Sequence, residues 1–249
     1  MSGHSKWKTI KHRKAAADAK RGKTWSKCAR NIIVAAKHGG GDPSSNLTLR
    51  YAIDKAKEAN MPADTIEKAI KKGTGELGAA EYVQAVYEGY GPGGIAYIVE
   101  TLTDNPHRTA PEIKKIFERG GGNLGPTNCV SWNFTTKGIF MINASDVNED
   151  TLMEIALDAG AEDVIRDGDM FDVTCEATAY ETVKQALAAR KIPVQHGEIA
   201  KKAGTTIKVD AETAAKVLRL MEAFEDHDDV QNVYSNFDIS DEVMAQIEA

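Results

Sequence analysis

The densest set of chemically active side chains lies at the start of the sequence. Residues 3–30 hold ten Lys or Arg against a single acid, Asp18. The bases are Lys6, Lys8, Lys11, Arg13, Lys14, Lys20, Arg21, Lys23, Lys27 and Arg30, and Trp7, Ile10, His12 and Trp25 are interleaved with them. Cations at this density neutralise phosphates, and aromatic rings among them stack on bases or on a groove wall. A charge run can also be no more than a solvated face, but that alternative leaves the aromatic interleaving without a role. The pattern therefore predicts nucleic-acid contact through Lys6, Trp7, Lys8, Lys11, His12, Arg13, Lys14, Lys20, Arg21, Lys23, Lys27 and Arg30.

Other chemistry finds little footing. Cys28, Cys129 and Cys175 are far apart and form no C-x-x-C pair, and the six histidines show no H-x-x-x-H or H-E-x-x-H spacing, so neither a disulfide framework nor a metal site is expected. No P-loop, no G-x-S-x-G and no nucleophile with a recognisable base partner is present, so the expectation is a non-enzyme without a cofactor. Gly73, Gly75 and Gly78 match G-x-G-x-x-G formally. A helix precedes them, however, and Glu76 would sit in the pyrophosphate loop, which makes the segment a linker. "EDHDD", Glu225 to Asp229, reads as a solvated acidic turn. "RGGGNLGPTN" has more successive glycines than a helix cap needs. Gly120, Gly121, Gly122, Asn123, Leu124 and Gly125 are therefore a candidate functional loop, able to approach a partner backbone closely.

Charge separates the chain into two parts. Residues 1–72 contain 17 Lys or Arg and 6 Asp or Glu, a net of +11, while the remaining 14 bases and 31 acids give -17, for a total of -6. A basic head on an acidic body points to an anionic partner at one end only. No apolar run approaches the roughly 18 residues that span a bilayer, and no apolar stretch or cleavage site follows the first charges. A cytoplasmic protein with no membrane partner is expected.

These residues need elements to position them. Trp25, Cys28, Ala29, Ile32, Ile33 and Ala36 fall at 0, 3, 4, 7, 8 and 11, the apolar face of a helix ended by Gly39 to Gly41 and Pro43. A second helix over 46–59 uses Leu49, Ala52, Ile53 and Ala56, and a third opens at Pro62 and stops at Gly73. Together they predict a three-helix domain. Gly22 is expected to divide it from a basic arm that cannot order itself alone. In the body, residues 138–201 read β-α-β-β-α-β, the ferredoxin-like order. "IAYIVETLT", "TAPEIKKIFERGG" and "CVSWNFT" before it, with "TTIKVD", "AETAAKVLRLMEAF" and "DVQNVYSNF" after it, are each βαβ. The fold class is α+β, with two ferredoxin-like domains, one inserted into the other. The expected division is 1–75 for arm and bundle, 80–136 plus 204–240 for the split domain, led by an extra strand "YVQAVYEGY", and 137–203 for the insertion.

At this point a resemblance emerges. "GHSKW", "IKHRKAAADAKRGK", "AAKHGGGDP", "NLTLRYAIDKAKEANMP", "IEKAIKKGTGE", "YEGYGPGGIA", "GGNLG", "AGAEDV" and "DDVQNVY" follow one another from Gly3 to Tyr234 and resemble the YebC/PmpR family. The resemblance implies three domains, one helical and two α+β, and no enzymatic activity. It implies a nucleic-acid partner, either promoter DNA, for a transcriptional regulator, or ribosomal or transfer RNA, for a ribosome-associated translation factor like the family's mitochondrial translational activators. Of the two, DNA-binding transcriptional regulation is the first expectation. Where family members commonly have an aliphatic segment resembling "FTKLIRE", this chain has "WSKCARN", with the smaller Cys28 and Ala29 facing the predicted bundle.

Overall fold

The structure, a computed structural model, describes residues 19–78 and 81–248. Helix α1, Ala19–Gly39, is followed by α2, Leu47–Glu58, and α3, Ala63–Gly73. The apolar stripe predicted for α1 is buried as expected. Cys28, Ile32, Ile33 and Ala36 pack with Leu49, Ile53 and Ala56 of α2 and with Met61, Ile66 and Ala69, while Trp25 and Ala29 are partly buried at the edge. Each large aliphatic side chain taken fully out of water here contributes about 1.5–3 kcal/mol. The small Cys28 is accommodated, only 6% exposed, and burial raises its thiol pKa.

Asn46 ties α1 to α2. Its Oδ1 accepts from Leu49 N at 3.0 Å, capping α2, and its Nδ2 donates to Ala35 O and Gly40 O, each at 2.9 Å. Pro62 serves as N-cap of α3, where its missing N–H leaves nothing unsatisfied. Gly22 does not interrupt α1. A mid-helix glycine costs about 1 kcal/mol relative to alanine, too little to stop a helix whose downstream face is buried, and Ser26 Oγ donates to Gly22 O one turn back.

Chain contacts divide the described residues into two compact units. The first runs to Thr127 and regains Lys216–Val233; the second takes Asn128–Ala215 and the chain from Tyr234. Besides the bundle, the first unit holds β1, Val83–Tyr90, β2, Ala96–Thr103, helix α4, Pro106–Arg119, and β3, Asn123–Leu124. Residues 216–225 of helix α7, Ala211–Glu225, and residues 230–233 of strand β9, Val230–Ser235, complete the layer. The sheet order is β3-β1-β2-β9, with β1 antiparallel to both of its neighbours. Tyr97 of β2, Phe117 of α4 and Phe224 of α7 form the centre of this core. Their ring centroids are 4.7 to 6.1 Å apart.

The second unit contains β4, Phe134–Asn143, α5, Glu149–Asp158, β5, Ala161–Asp167, β6, Met170–Glu176, α6, Tyr180–Ala189, and β7, His196–Ala203. Strand order β5-β6-β4-β7, antiparallel throughout, is the ferredoxin-like arrangement. Phe140 of β4 stacks on Tyr180 at 4.7 Å between centroids. Strand β8, Ile207–Lys208, pairs in parallel with β10, Phe237–Asp238, and α8, Asp241–Glu248, follows.

Two strand expectations are corrected. "CVSWNFT" is not one strand of the split domain: Ser131–Asn133 form a single 3-10 turn, and the chain from Phe134 belongs to the ferredoxin-like sheet. The side chain of Asn133 is the reason. It accepts from Thr205 N at 2.8 Å and donates to Thr205 O at 2.9 Å, a pairing that bends its own backbone out of the sheet. "TTIKVD" likewise gives only the short β8, outside the four-stranded sheet. That sheet is completed instead by β1, read from sequence as an extra strand, and by β3.

Candidate nucleic-acid interface

Helix α1 carries a second stripe beside its apolar one. Lys23, Lys27, Arg30, Asn31 and Val34 fall at 0, 4, 7, 8 and 11, so one face of the helix is basic and ends in a buried valine. This face meets the carboxyl end of α7. Lys23 Nζ donates to Asp226 O at 3.1 Å and Lys27 Nζ to Glu225 O at 2.5 Å, while Arg30 Nη1 donates to Asp228 O. Asn31 Nδ2 donates to Gln231 Oε1 at 3.1 Å. The last carbonyls of a helix lack intrahelical partners and carry the negative end of its dipole, so cations are the side chains that satisfy them best.

The seam closes on Asp229, which is 2% exposed. Its Oδ1 accepts from Arg30 Nη1 at 3.0 Å, and its Oδ2 accepts from Arg108 Nη2 at 2.7 Å and from Thr109 Oγ1 at 2.8 Å. Burial pushes the carboxyl pKa up. The hydrogen bonds from Arg108, Thr109 and Thr103, with the Arg108 charge, outweigh that and hold it below the ordinary aspartate value. His227 reinforces the corner. Asp229 N donates to its Nδ1 at 3.1 Å, so Nε2 carries the hydrogen and faces Glu112 Oε2 at 3.0 Å. In "EDHDD" the side chains of Asp226 and Asp228 are exposed, as a solvated turn implies, but the segment's carbonyls and its last carboxylate anchor α1.

This alters the candidate phosphate contacts. Lys23, Lys27 and Arg30 hold α1 against α7, and Arg30 also lies 5.8 Å from the Tyr82 ring centre. Lys20 and Arg21 lie in the first turn of α1. Lys6, Trp7, Lys8, Lys11, His12, Arg13 and Lys14 lie outside the described residues. Sequence reasoning missed Asp229, Arg108 and Thr109. The basic residues of α1 recur at helical period, which places them on one face but does not tell what that face meets.

The glycine loop has structural work of its own. Gly120, Gly121 and Gly122 donate their N–H groups to Ile116, Glu118 and Phe117 carbonyls, closing α4. Gly121 has φ +78°, a left-handed conformation that favours glycine. A Cβ on Gly122 would lie inside van der Waals contact of Tyr90 O and 2.8 Å from Gly91 Cα. Asn123 and Leu124 then pair with Tyr90 and Gly89 as β3, and Gly125 N donates to Glu88 O. The run of glycines lets the chain turn from α4 onto the edge of its own sheet.

Among the described residues no group of three or more His, Cys, Asp or Glu side chains is arranged to hold a metal, and the three cysteines are free thiols. No described helix is long and apolar enough to cross a membrane.

Comparison with known proteins gives a consistent picture. Residues 5–76 match the family model described as the TACO1/YebC protein N-terminal domain, and residues 82–237 match the TACO1/YebC second and third domain. A protein of Natranaerobius thermophilus named "Probable transcriptional regulatory protein" is 51% identical over 247 residues, covering 98% of this chain and 99% of its own. One of Syntrophobacter fumaroxidans with the same name is 52% identical over 248 residues, covering 99% and 100%. The crystal structure of a conserved hypothetical protein of Aquifex aeolicus, 44% identical, superposes with a TM-score of 0.83 over 93% of this chain and 96% of that one.

Proposed function

The chain belongs to the TACO1/YebC family, and from that premise we propose that it is a non-enzymatic regulator of gene expression that binds duplex DNA through the basic segment from Lys6 to Arg21. The observation that carries this reading is how the basic residues are divided. Lys23, Lys27 and Arg30 are engaged by the end of α7. The bases of the head that remain for a phosphate backbone are concentrated in Lys6, Lys8, Lys11, Arg13, Lys14, Lys20 and Arg21, opposed by Asp18 alone. The seam gives this segment a fixed base, because α1 is held on one side by the bundle core and on the other by α7.

Phosphate neutralisation supplies affinity and register, and the acidic remainder of the chain repels nucleic acid from other faces. Trp7 and His12 add stacking or groove contacts within the same segment. The names of the relatives support transcriptional regulation. The ribosomal alternative, in which Gly120–Gly125 enters an RNA-walled space, draws less support, since those glycines already close α4 and pack on β1.

Fluorescence anisotropy with labelled duplex DNA tests the reading. Replacing Lys6, Lys8, Lys11, Arg13 and Lys14 together by Gln should weaken binding by two orders of magnitude or more at about 0.1 M salt, as expected for five lost phosphate contacts. Unchanged affinity would overturn the assignment.

A further inference from the structure

The ferredoxin-like sheet carries its helices on one face. Phe140 stacks on Tyr180 of α6, a Cβ on Gly138 would meet Cys175 Sγ and the Tyr180 ring, and one on Gly197 would meet Phe140 and the Tyr180 hydroxyl. Helix α5 packs beside α6. Successive strand residues alternate between faces, so Lys137, Ile139 and Met141 of β4 belong to the opposite, helix-free face. Register adds Asp172 and Thr174 of β6 and His196, Glu198 and Ala200 of β7. The 2.7 Å bond from Lys202 Nζ to Thr174 Oγ1 reaches over β4 on this side.

A sheet face bathed in water would leave these side chains exposed, but Ile139, Met141, Asp172, Thr174 and Ala200 are no more than 4% exposed, with the His196 and Glu198 side chains at 12% and 11%. The face is therefore covered, and α5 and α6 lie on the wrong side to do it. The cover has an outline. It stops short of β5, where Ile165, opposite Asp172, is 41% exposed, and short of Glu176, which is exposed. Three adjacent strands span about 10 Å, close to the width of one helix, so what lies here is a single segment wide.

The ground under it is acidic. Asp172 and Glu198 lie inside the outline, with Asp163 on the neighbouring β5, while Lys137 is taken by Glu162 and Glu176. Carboxylates removed from water call for cations as partners. The chain has one segment of that chemistry outside the described residues: 1–18, with Lys6, Lys8, Lys11, Arg13 and Lys14 around the apolar Trp7 and Ile10. Its length, up to about 60 Å when extended, puts no limit on reach.

We propose that the helix-free face of the ferredoxin-like sheet is the seat of the chain's own basic segment, with Asp172 and Glu198 receiving its Lys and Arg side chains and Ile139 and Met141 packing on Trp7, and that nucleic acid must displace the segment to bind it. Seat and phosphates compete for the same cations, so the affinity for DNA is that of the released segment reduced by the fraction released. The competition rests on the reading that this segment binds duplex DNA; the docking does not.

The test uses the full chain with photoreactive benzoylphenylalanine in place of Trp7, irradiated, digested and mapped by mass spectrometry. Cross-links should fall within residues 139–141, 172–174 and 196–200 of the same chain and disappear when duplex DNA is added to saturation. Cross-links confined to other parts of the chain, or joining two chains, would overturn the seat. Asp172→Asn with Glu198→Gln should lose the cross-link and raise duplex affinity by about threefold or more at about 0.1 M salt, measured by anisotropy after thermal melting verifies the fold. Should the pair not melt cooperatively, Glu198→Gln alone gives the same readouts. An affinity equal to or below the parent's in a folded variant would overturn the competition. If the parent chain binds no duplex, the DNA reading falls, and the cross-link still decides the seat.

Discussion

Replacing Asp229 by Asn removes one charge from the centre of the seam and leaves its size unchanged. The carboxylate is 2% exposed and accepts hydrogen bonds from Arg30, Arg108 and Thr109 at 2.7 to 3.0 Å. Removing one member of a buried charge pair costs roughly 3–5 kcal/mol, because its partners are left uncompensated. Here the arginine side chains are 21% and 45% exposed and regain water, which argues for the low end, about 3 kcal/mol. For a chain of this size each kcal/mol moves the midpoint by about 2–4 °C, so the transition of the unit containing Asp229 should fall by about 6–12 °C at pH 7. The loss should also depend on pH in a fixed direction. Asp229 is held below the ordinary carboxyl value, so its contribution is fully present above about pH 4 and disappears as pH falls through the depressed pKa. Differential scanning calorimetry of parent and variant between pH 7 and pH 2.5 measures both effects. A midpoint shift under 2 °C at pH 7, or a gap that does not narrow in acid, would refute the assignment of Asp229 as the anchor of α1.

Substituting Lys23 and Lys27 by Gln should lower the same midpoint modestly and change duplex affinity less than threefold, since their ammonium groups bond the carbonyls of α7; anisotropy and melting on one preparation decide it. Gly122→Ala should destabilise by about 3 kcal/mol, the upper part of the range for overpacking against atoms that cannot move aside, because its Cβ meets the Tyr90 and Gly91 backbone. Gly94→Ala, with φ +73° and open space around it, should cost only the left-handed strain of about 1 kcal/mol, and urea melts of the pair give the comparison. Reversed ranking would mean that the Gly120–Gly125 turn is free to move.

Local pattern carried much of this architecture. The apolar stripe of α1, the proline opening α3 and the alternating strands of the ferredoxin-like unit each depend on residues a few positions apart, and each folds as its period implies. The seam was not legible because its partners are distant in sequence: Arg30 and Asp229 are 199 residues apart, and no spacing rule links them. A basic stripe at helical period looks the same whether it faces phosphates or the carbonyls of another helix. Strand β8 and the Ser131–Asn133 turn were misread for a similar reason, since the side chain of Asn133 binds Thr205 rather than its own neighbours. Glycines at Gly120 to Gly122 suggested an approach to a partner backbone. The backbone that they approach belongs to β1.

The most direct test of the central claim is the salt dependence of duplex DNA affinity. If the segment from Lys6 to Arg21 neutralises about six phosphates, log affinity should fall against log salt with a slope near -5. The variant with Lys6, Lys8, Lys11, Arg13 and Lys14 changed to Gln should retain a slope weaker by about 4 to 5. A slope near zero for the parent chain, or the same slope for parent and variant, would contradict the account.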